Sequence, residues 1–202
     1  MSNKNNKNQD NNEKKKSYLD ITRKKRSKTL KNVVLPIIGG IVILGIISAL
    51  LFSPPGPSGF GALGSAHEHA AFLIKINGKN IDLSIPKYQV QSDYIHVENR
   101  DGTTLHRHAT NVTFGNFLET IKMNLDKENN NNCIVFDNGT NYCDDNANKL
   151  SAYINGNNTG IESISNYIIN DNDRLLVIYG NETENEINRA IKEVNDIEIQ
   201  FT

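Results

Sequence analysis

FLIKINGKNIDLSI, residues 72–85, is the stretch from which the fold is read. Phe72, Ile74 and Ile76 recur at every second position, Asn77-Gly78 follows, and Ile81, Leu83 and Ile85 recur again. A period of two puts alternate side chains on one face of a strand. Asn-Gly between two such runs is the strongest short-range hairpin signal, because both turn residues must take positive φ. The stretch therefore predicts a β-hairpin.

Downstream, residues 94–98 predict a further strand, with Tyr94, His96 and Glu98 on one face. Thr113 caps a helix whose apolar face is Phe114, Phe117, Leu118 and Ile121. Residues 133–136 and 142–143 flank an Asp-Asn-Gly turn, 150–154 lead into a second Asn-Gly, and 175–179 form a closing apolar strand. Thr183 and Glu186 make a capping box for a short C-terminal helix with Ile187, Ala190, Ile191 and Val194 on one side. The order hairpin, helix, hairpin, strand predicts one sheet wrapped around a helix, as in the β-grasp fold.

Upstream the chemistry changes. Residues 33–52, VVLPIIGGIVILGIISALLF, carry no charge, and twenty residues suffice to cross a bilayer core of about 30 Å. The first 32 residues hold 11 lysines and arginines against 3 acids, and the rest of the chain 11 against 20, which the net charge of −1 conceals. Basic residues before the apolar run place the N-terminus in the cytoplasm and the remainder outside. The class expected is α+β: a single transmembrane helix, then a small β-grasp-like outer domain with a short C-terminal helix. The divisions are a disordered basic tail (1–32) touching anionic lipid, the span (33–52), a Pro/Gly linker (53–66), a β-rich domain (67–180) and a C-terminal helix or tail (181–202). A chain of 202 residues so divided excludes a multidomain enzyme or a multi-span transporter. The basic tail lacks the aromatic interleaving of a nucleic-acid binder, so no nucleic-acid partner is expected; a membrane-protein partner is.

Two features carry chemistry. Cys133 and Cys143 flank the predicted turn and face each other across it, which reads as a disulfide in an oxidising compartment. Redox catalysis normally uses Cys-x-x-Cys at a helix N-terminus, and neither feature is present. All five histidines fall between positions 67 and 108, and four form His67-Glu-His69 and His106-Arg-His108. Residues i and i+2 of an extended chain point the same way, so each pair presents two imidazoles together, with Glu68 and Arg107 turned away. Two such segments side by side form a metal site, with His96 as fifth ligand or supporting partner. An all-imidazole set suits copper or zinc; calcium and magnesium want oxygen.

The blocks HEHAAFLIKING (67–78), YIHVE (94–98), DGTTLHRHA (101–109) and TFGNFLE (113–119) make the chain similar to a family of small membrane-anchored, histidine-rich proteins of ammonia-oxidising archaea. Some members carry a protein-disulfide-isomerase label. The resemblance implies an archaeal surface protein in a copper-dependent setting. The Asn-x-Thr acceptors Asn111, Asn138, Asn157 and Asn181 fit glycosylation there. The function expected is a membrane-tethered metal-binding module outside the cytoplasm. The alternatives are a thiol oxidoreductase or metal-dependent enzyme, with Glu98 as its base, and a β-grasp adaptor for a protein or small ligand. A further alternative is cleavage after Gly64-Ser65-Ala66, which would free His67 as an N-terminal copper chelator.

Overall fold

The computed structural model describes residues 34–51, 59–128 and 130–201. The basic tail (1–32) and residues 53–58 of the linker lie outside the described residues. The chain divides into two units, Met1–Pro54 and Pro55–Thr202. The class is α+β, with mixed strand directions and, among the described residues, four helices.

In the first unit, α1 (Leu35–Leu51) has 17 residues and no charged side chain. The expected transmembrane helix over 33–52 is corrected here. Seventeen residues at 1.5 Å per residue span about 26 Å, short of a hydrocarbon core of about 30 Å. No helix among the described residues is long and apolar enough to cross a membrane. Pro36 sits in the first turn, where its missing N–H costs no intrahelical bond.

The second unit is built on β1 (Glu68–Ile76) and β10 (Arg174–Gly180), which run parallel with Phe72 opposite Leu175 and Ile74 opposite Val177. Both strands are apolar on both faces because both faces are covered. β8 (Lys149–Ile154) lies antiparallel on the far side of β10, and β9 (Asn157–Thr159) outside it. On the other edge of β1 come β2 (Lys79–Asn80), β4 (Thr104–Arg107) and then β3 (Ile95–His96).

One face of this sheet carries Phe72, Ile74, Leu105, Leu175 and Val177. They pack on α2 (Phe114–Thr120) and α3 (Ile161–Ser165), whose Phe114, Phe117, Leu118 and Ile164 are fully buried. The other face carries Ala71, Leu73, Leu176 and Ile178, covered by Ala190 and Val194 of α4 (Glu184–Asn195) and by Ile199 beyond it. Thr113 and Thr183 cap α2 and α4 as read from the sequence.

The single-sheet β-grasp-like plan is corrected too. β5 (Met123–Glu128), β6 (Asn131–Phe136) and β7 (Asn141–Cys143) form a separate three-stranded sheet. The predicted second arm of the first hairpin also stops early. Asn77 and Gly78 take φ of 49° and 76°, so the turn forms, but the ladder ends at Asn80 with one further bond, from the Ile81 amide to the Ile74 carbonyl (2.8 Å). Asp82 accepts the Ser84 amide at 2.9 Å and bends the chain, and Pro86 opens a 3-10 turn, Pro86–Tyr88. The vacated edge of β1 is taken by β4.

Candidate metal centre

The two His-x-His segments are neighbours in the sheet. β1 and β4 pair antiparallel with His69 opposite His106 and Glu68 opposite Arg107, and β3 places His96 opposite His106 on the far side. His69, His106 and His96 therefore form one row across three strands, on the face shared with Ala71 and Leu73. His67 and His108 lie two residues further out on the same face. The imidazoles touch in sequence: ring centroids are 4.7 Å apart for His67–His69, 5.0 Å for His67–His108, 4.8 Å for His69–His106, 5.9 Å for His96–His106 and 5.0 Å for His96–His108. Two rings on one ion, each centroid about 3.2 Å from it, are separated by roughly 4.5 to 6.4 Å for angles between 90° and 180°. Every contact falls in that range.

Exposure grades across the cluster. His106, His69 and His96 are 2%, 4% and 6% exposed, His108 is half-buried and His67 lies open. Burial drives the His106 imidazole down to about 4 although the Glu98 carboxylate pulls it up; His69, His96 and His108 lower it further. Burial lowers His108 as well. Both are neutral at neutral pH, with lone pairs available to a cation.

The ring nitrogens have distinct surroundings. His96 Nδ1 is 2.6 Å from the carbonyl oxygen of Ser92, an acceptor only, so Nδ1 donates to it and Nε2 is turned toward the cluster. His69 Nδ1 faces Asp171 Oδ1 at 3.6 Å, while its Nε2 is buried with no hydrogen-bond partner among the described residues. A carboxylate or carbonyl behind a histidine that turns its other nitrogen forward is the usual support of a metal ligand. Glu98 reaches the cluster through Oε2 to His96 Nε2 (3.5 Å) and Oε1 to His106 Nδ1 (3.9 Å). The sequence placed Glu98 beside His96 by the i, i+2 rule but offered it only as a base. A rim is added by the C-terminal segment, where the Gln200 amide donates to Thr104 Oγ1 (3.3 Å) and the Phe201 ring packs edge-on to His69 at 5.1 Å. The expected linker contributes too: Gly64 N–H donates to the His108 carbonyl at 2.7 Å, and Phe60 packs on Tyr94.

The rings are gathered, but their nitrogens are not yet pointed at one centre. Among the described residues, the group that brings three ligand atoms within 4.8 Å of one another is Glu128, Cys133 and Cys143, which can hold a metal ion by that measure. Cys133 and Cys143 are direct cross-strand partners and form a disulfide (S–S 2.03 Å), as the sequence predicts. Their sulfurs are thus bonded to each other, and thiolate ligation requires reduction first. The four candidate glycosylation acceptors, Asn111, Asn138, Asn157 and Asn181, are all exposed.

Set against family models, curated proteins and solved structures, the chain matches none of them.

Proposed function

We propose that this protein is a metal-binding module that takes a divalent transition-metal ion, copper or zinc, into the five-histidine cluster and works in an oxidising compartment outside the cytoplasm. The observation that carries the reading is the buried, unpartnered Nε2 of His69 within a closed circuit of imidazole contacts. An unsatisfied nitrogen at that depth costs roughly 1–3 kcal/mol, which a bound cation removes. Imidazole without thiolate suits copper(II) and zinc. The Cys133–Cys143 disulfide supports the compartment.

The test uses the full chain without a polyhistidine tag. It is loaded with copper(II) or zinc(II), freed of excess metal, and assayed for metal per chain beside His69→Ala and His106→Ala. About one tightly held ion per chain, lost in both variants, is expected for a four- or five-coordinate site. Metal content equal in wild type and variants refutes the proposal.

A further inference from the structure

Cys133 and Cys143 stand opposite each other in the β6–β7 ladder, and Glu128 of β5 stands opposite Asn131, two residues before Cys133. Residues two apart in a strand share a face, so both sulfurs and the Glu128 carboxylate emerge on one side of the small sheet. Glu128 Oε2 lies 3.9 Å from Cys143 Sγ, and Oε1 accepts from Asn141 Nδ2 at 3.3 Å, which holds the carboxylate beside the sulfur pair. For metal–sulfur bonds of about 2.3 Å and a metal–oxygen bond of about 2.1 Å at tetrahedral angles, sulfur and oxygen on one ion stand about 3.6 Å apart. The carboxylate is therefore nearly in place, and the sulfurs have only to part once the bond between them is broken. Backbone bonds keep the strands together without that link. The Asp144 amide donates to the Asn132 carbonyl (2.8 Å), the Phe136 amide donates to the Thr140 carbonyl (3.0 Å), and β6 is paired along its whole length with β5. Access is one-sided: Cys133 is fully buried, whereas Cys143 is half-buried on the outer strand and Glu128 is exposed.

We infer that the Cys133–Cys143 disulfide is a redox gate on a second metal site, in which the two cysteine sulfurs and Glu128 hold a zinc-type divalent ion once a dithiol has reduced the pair. The gating step is thiol–disulfide exchange. A thiolate of the dithiol attacks Cys143 Sγ, the accessible sulfur, the Sγ–Sγ bond breaks and Cys133 leaves. The second thiolate of the dithiol then closes its own disulfide and releases Cys143. Two electrons and two protons pass to the protein, which ends with two thiols, and the dithiol ends oxidised. An ion that binds displaces both thiol protons to solvent. Two thiolates with a carboxylate form a zinc ligand set, and the fourth position faces solvent on the Glu128 side. The site stands apart from the histidine cluster, on the other sheet and with other donors. One position in the fold is thus stapled by sulfur when oxidised and by metal when reduced.

The experiment uses the untagged full chain, either oxidised or reduced with excess dithiothreitol and desalted without oxygen. Free thiols are counted before cadmium(II) or cobalt(II) is added. Sulfur-to-metal charge-transfer absorption reads this site alone, because imidazole ligands do not produce it. Both cysteines are expected to titrate as thiols after reduction. A charge-transfer band should then rise, saturate at about one ion per chain, and be absent from the oxidised protein. Glu128→Gln changes an exposed side chain, and circular dichroism checks that it folds. Its cadmium affinity in the reduced state should be at least ~10-fold weaker, the lower range for removing even a supporting group. A disulfide that resists the dithiol in the folded chain overturns the gate, as do two free thiols that give no charge-transfer band. Wild-type cadmium affinity in Glu128→Gln overturns the three-ligand site. Metal held by the oxidised protein and lost in His69→Ala and His106→Ala is read separately, so either site can fail while the other stands.

Discussion

Acid should unfold the metal-free protein by way of His106. Its imidazole, 2% exposed, titrates at about 4 in the fold, against 6.5 for the ordinary side chain. Between those values the unfolded chain binds a proton that the folded chain refuses. The contribution of His106 is therefore fully present above pH about 6.5 and is lost as pH falls toward 4. At 1.36 kcal/mol per pH unit the whole shift corresponds to about 3 kcal/mol, of which between roughly 2 and 3 kcal/mol is lost from pH 7.5 to 4.5. Urea unfolding of the chelator-stripped protein, followed by circular dichroism, reads this as a midpoint falling by about 1–2 M. Carboxylates also titrate near the lower end, so the comparison is with His106→Phe, which keeps an aromatic ring beside His69 and cannot take the proton. Wild type should lose between roughly 2 and 3 kcal/mol more than the variant across the interval. Parallel profiles would refute the reasoning, showing that the protein accommodates the charge on His106.

Reduction, or Cys133→Ser with Cys143→Ser, removes a cross-link between residues ten apart. It should cost about 2–3 kcal/mol, with amide-exchange protection lost first in β5–β7; uniform loss would mean the two sheets unfold as one. Phe72→Ala empties a fully buried position in edge contact with Phe114 and Phe117 and should cost about 3–5 kcal/mol by urea titration. Gly78 has φ of 76° with open space where a Cβ would stand, so Gly78→Ala should cost about 1 kcal/mol through backbone strain alone.

The local half of this molecule is legible in its sequence. The Asn-Gly turns, the Thr113 cap, the Thr183–Glu186 capping box, the cysteine pairing and the one-sided presentation of each His-x-His all follow from rules spanning a few residues. What escapes is decided at long range. Nothing near Asn124, Asp126, Lys127 or Glu128 marks a strand, because β5 is mostly polar and exists by pairing with the disulfide-linked β6. Ile81, Leu83 and Ile85 alternate like a strand, yet β4 occupies the edge they needed. Residues 33–52 count as a membrane span by length, yet the helix has 17 residues. The C-terminal helix, read from the sequence as a short capped element with one apolar side, closes the second face of the sheet with Ala190 and Val194. Its tail thereby reaches the histidines. That all five share one face depends on the register of β1 against β4, which no local pattern states.

That register has a physical lock on the opposite face. Glu68 stands opposite Arg107 one residue out of step with His69 and His106, so a slip of one position would carry His106 to the face of Phe72 and Arg107 to the face of His69. Arg107 is 5% exposed, donates from Nε to the Ile169 carbonyl (3.0 Å) and from Nη1 to the Ala109 carbonyl (2.7 Å), and has Nη2 3.8 Å from Glu68 Oε1. Glu68 Oε2 in turn accepts the Asp171 amide, next to the carboxylate that faces His69. Truncating Arg107 alone should cost about 3–5 kcal/mol by stranding these partners. Glu68→Leu with Arg107→Leu exchanges the lock for apolar burial, a swap that often leaves stability unchanged. The double variant should therefore still unfold cooperatively in urea while binding zinc more weakly and with uneven stoichiometry, although no ligand has been touched. A zinc isotherm identical to wild type would mean that the apolar rows of Phe72, Ile74 and Leu105 set the register by themselves, leaving the ion pair with no part in aligning the site.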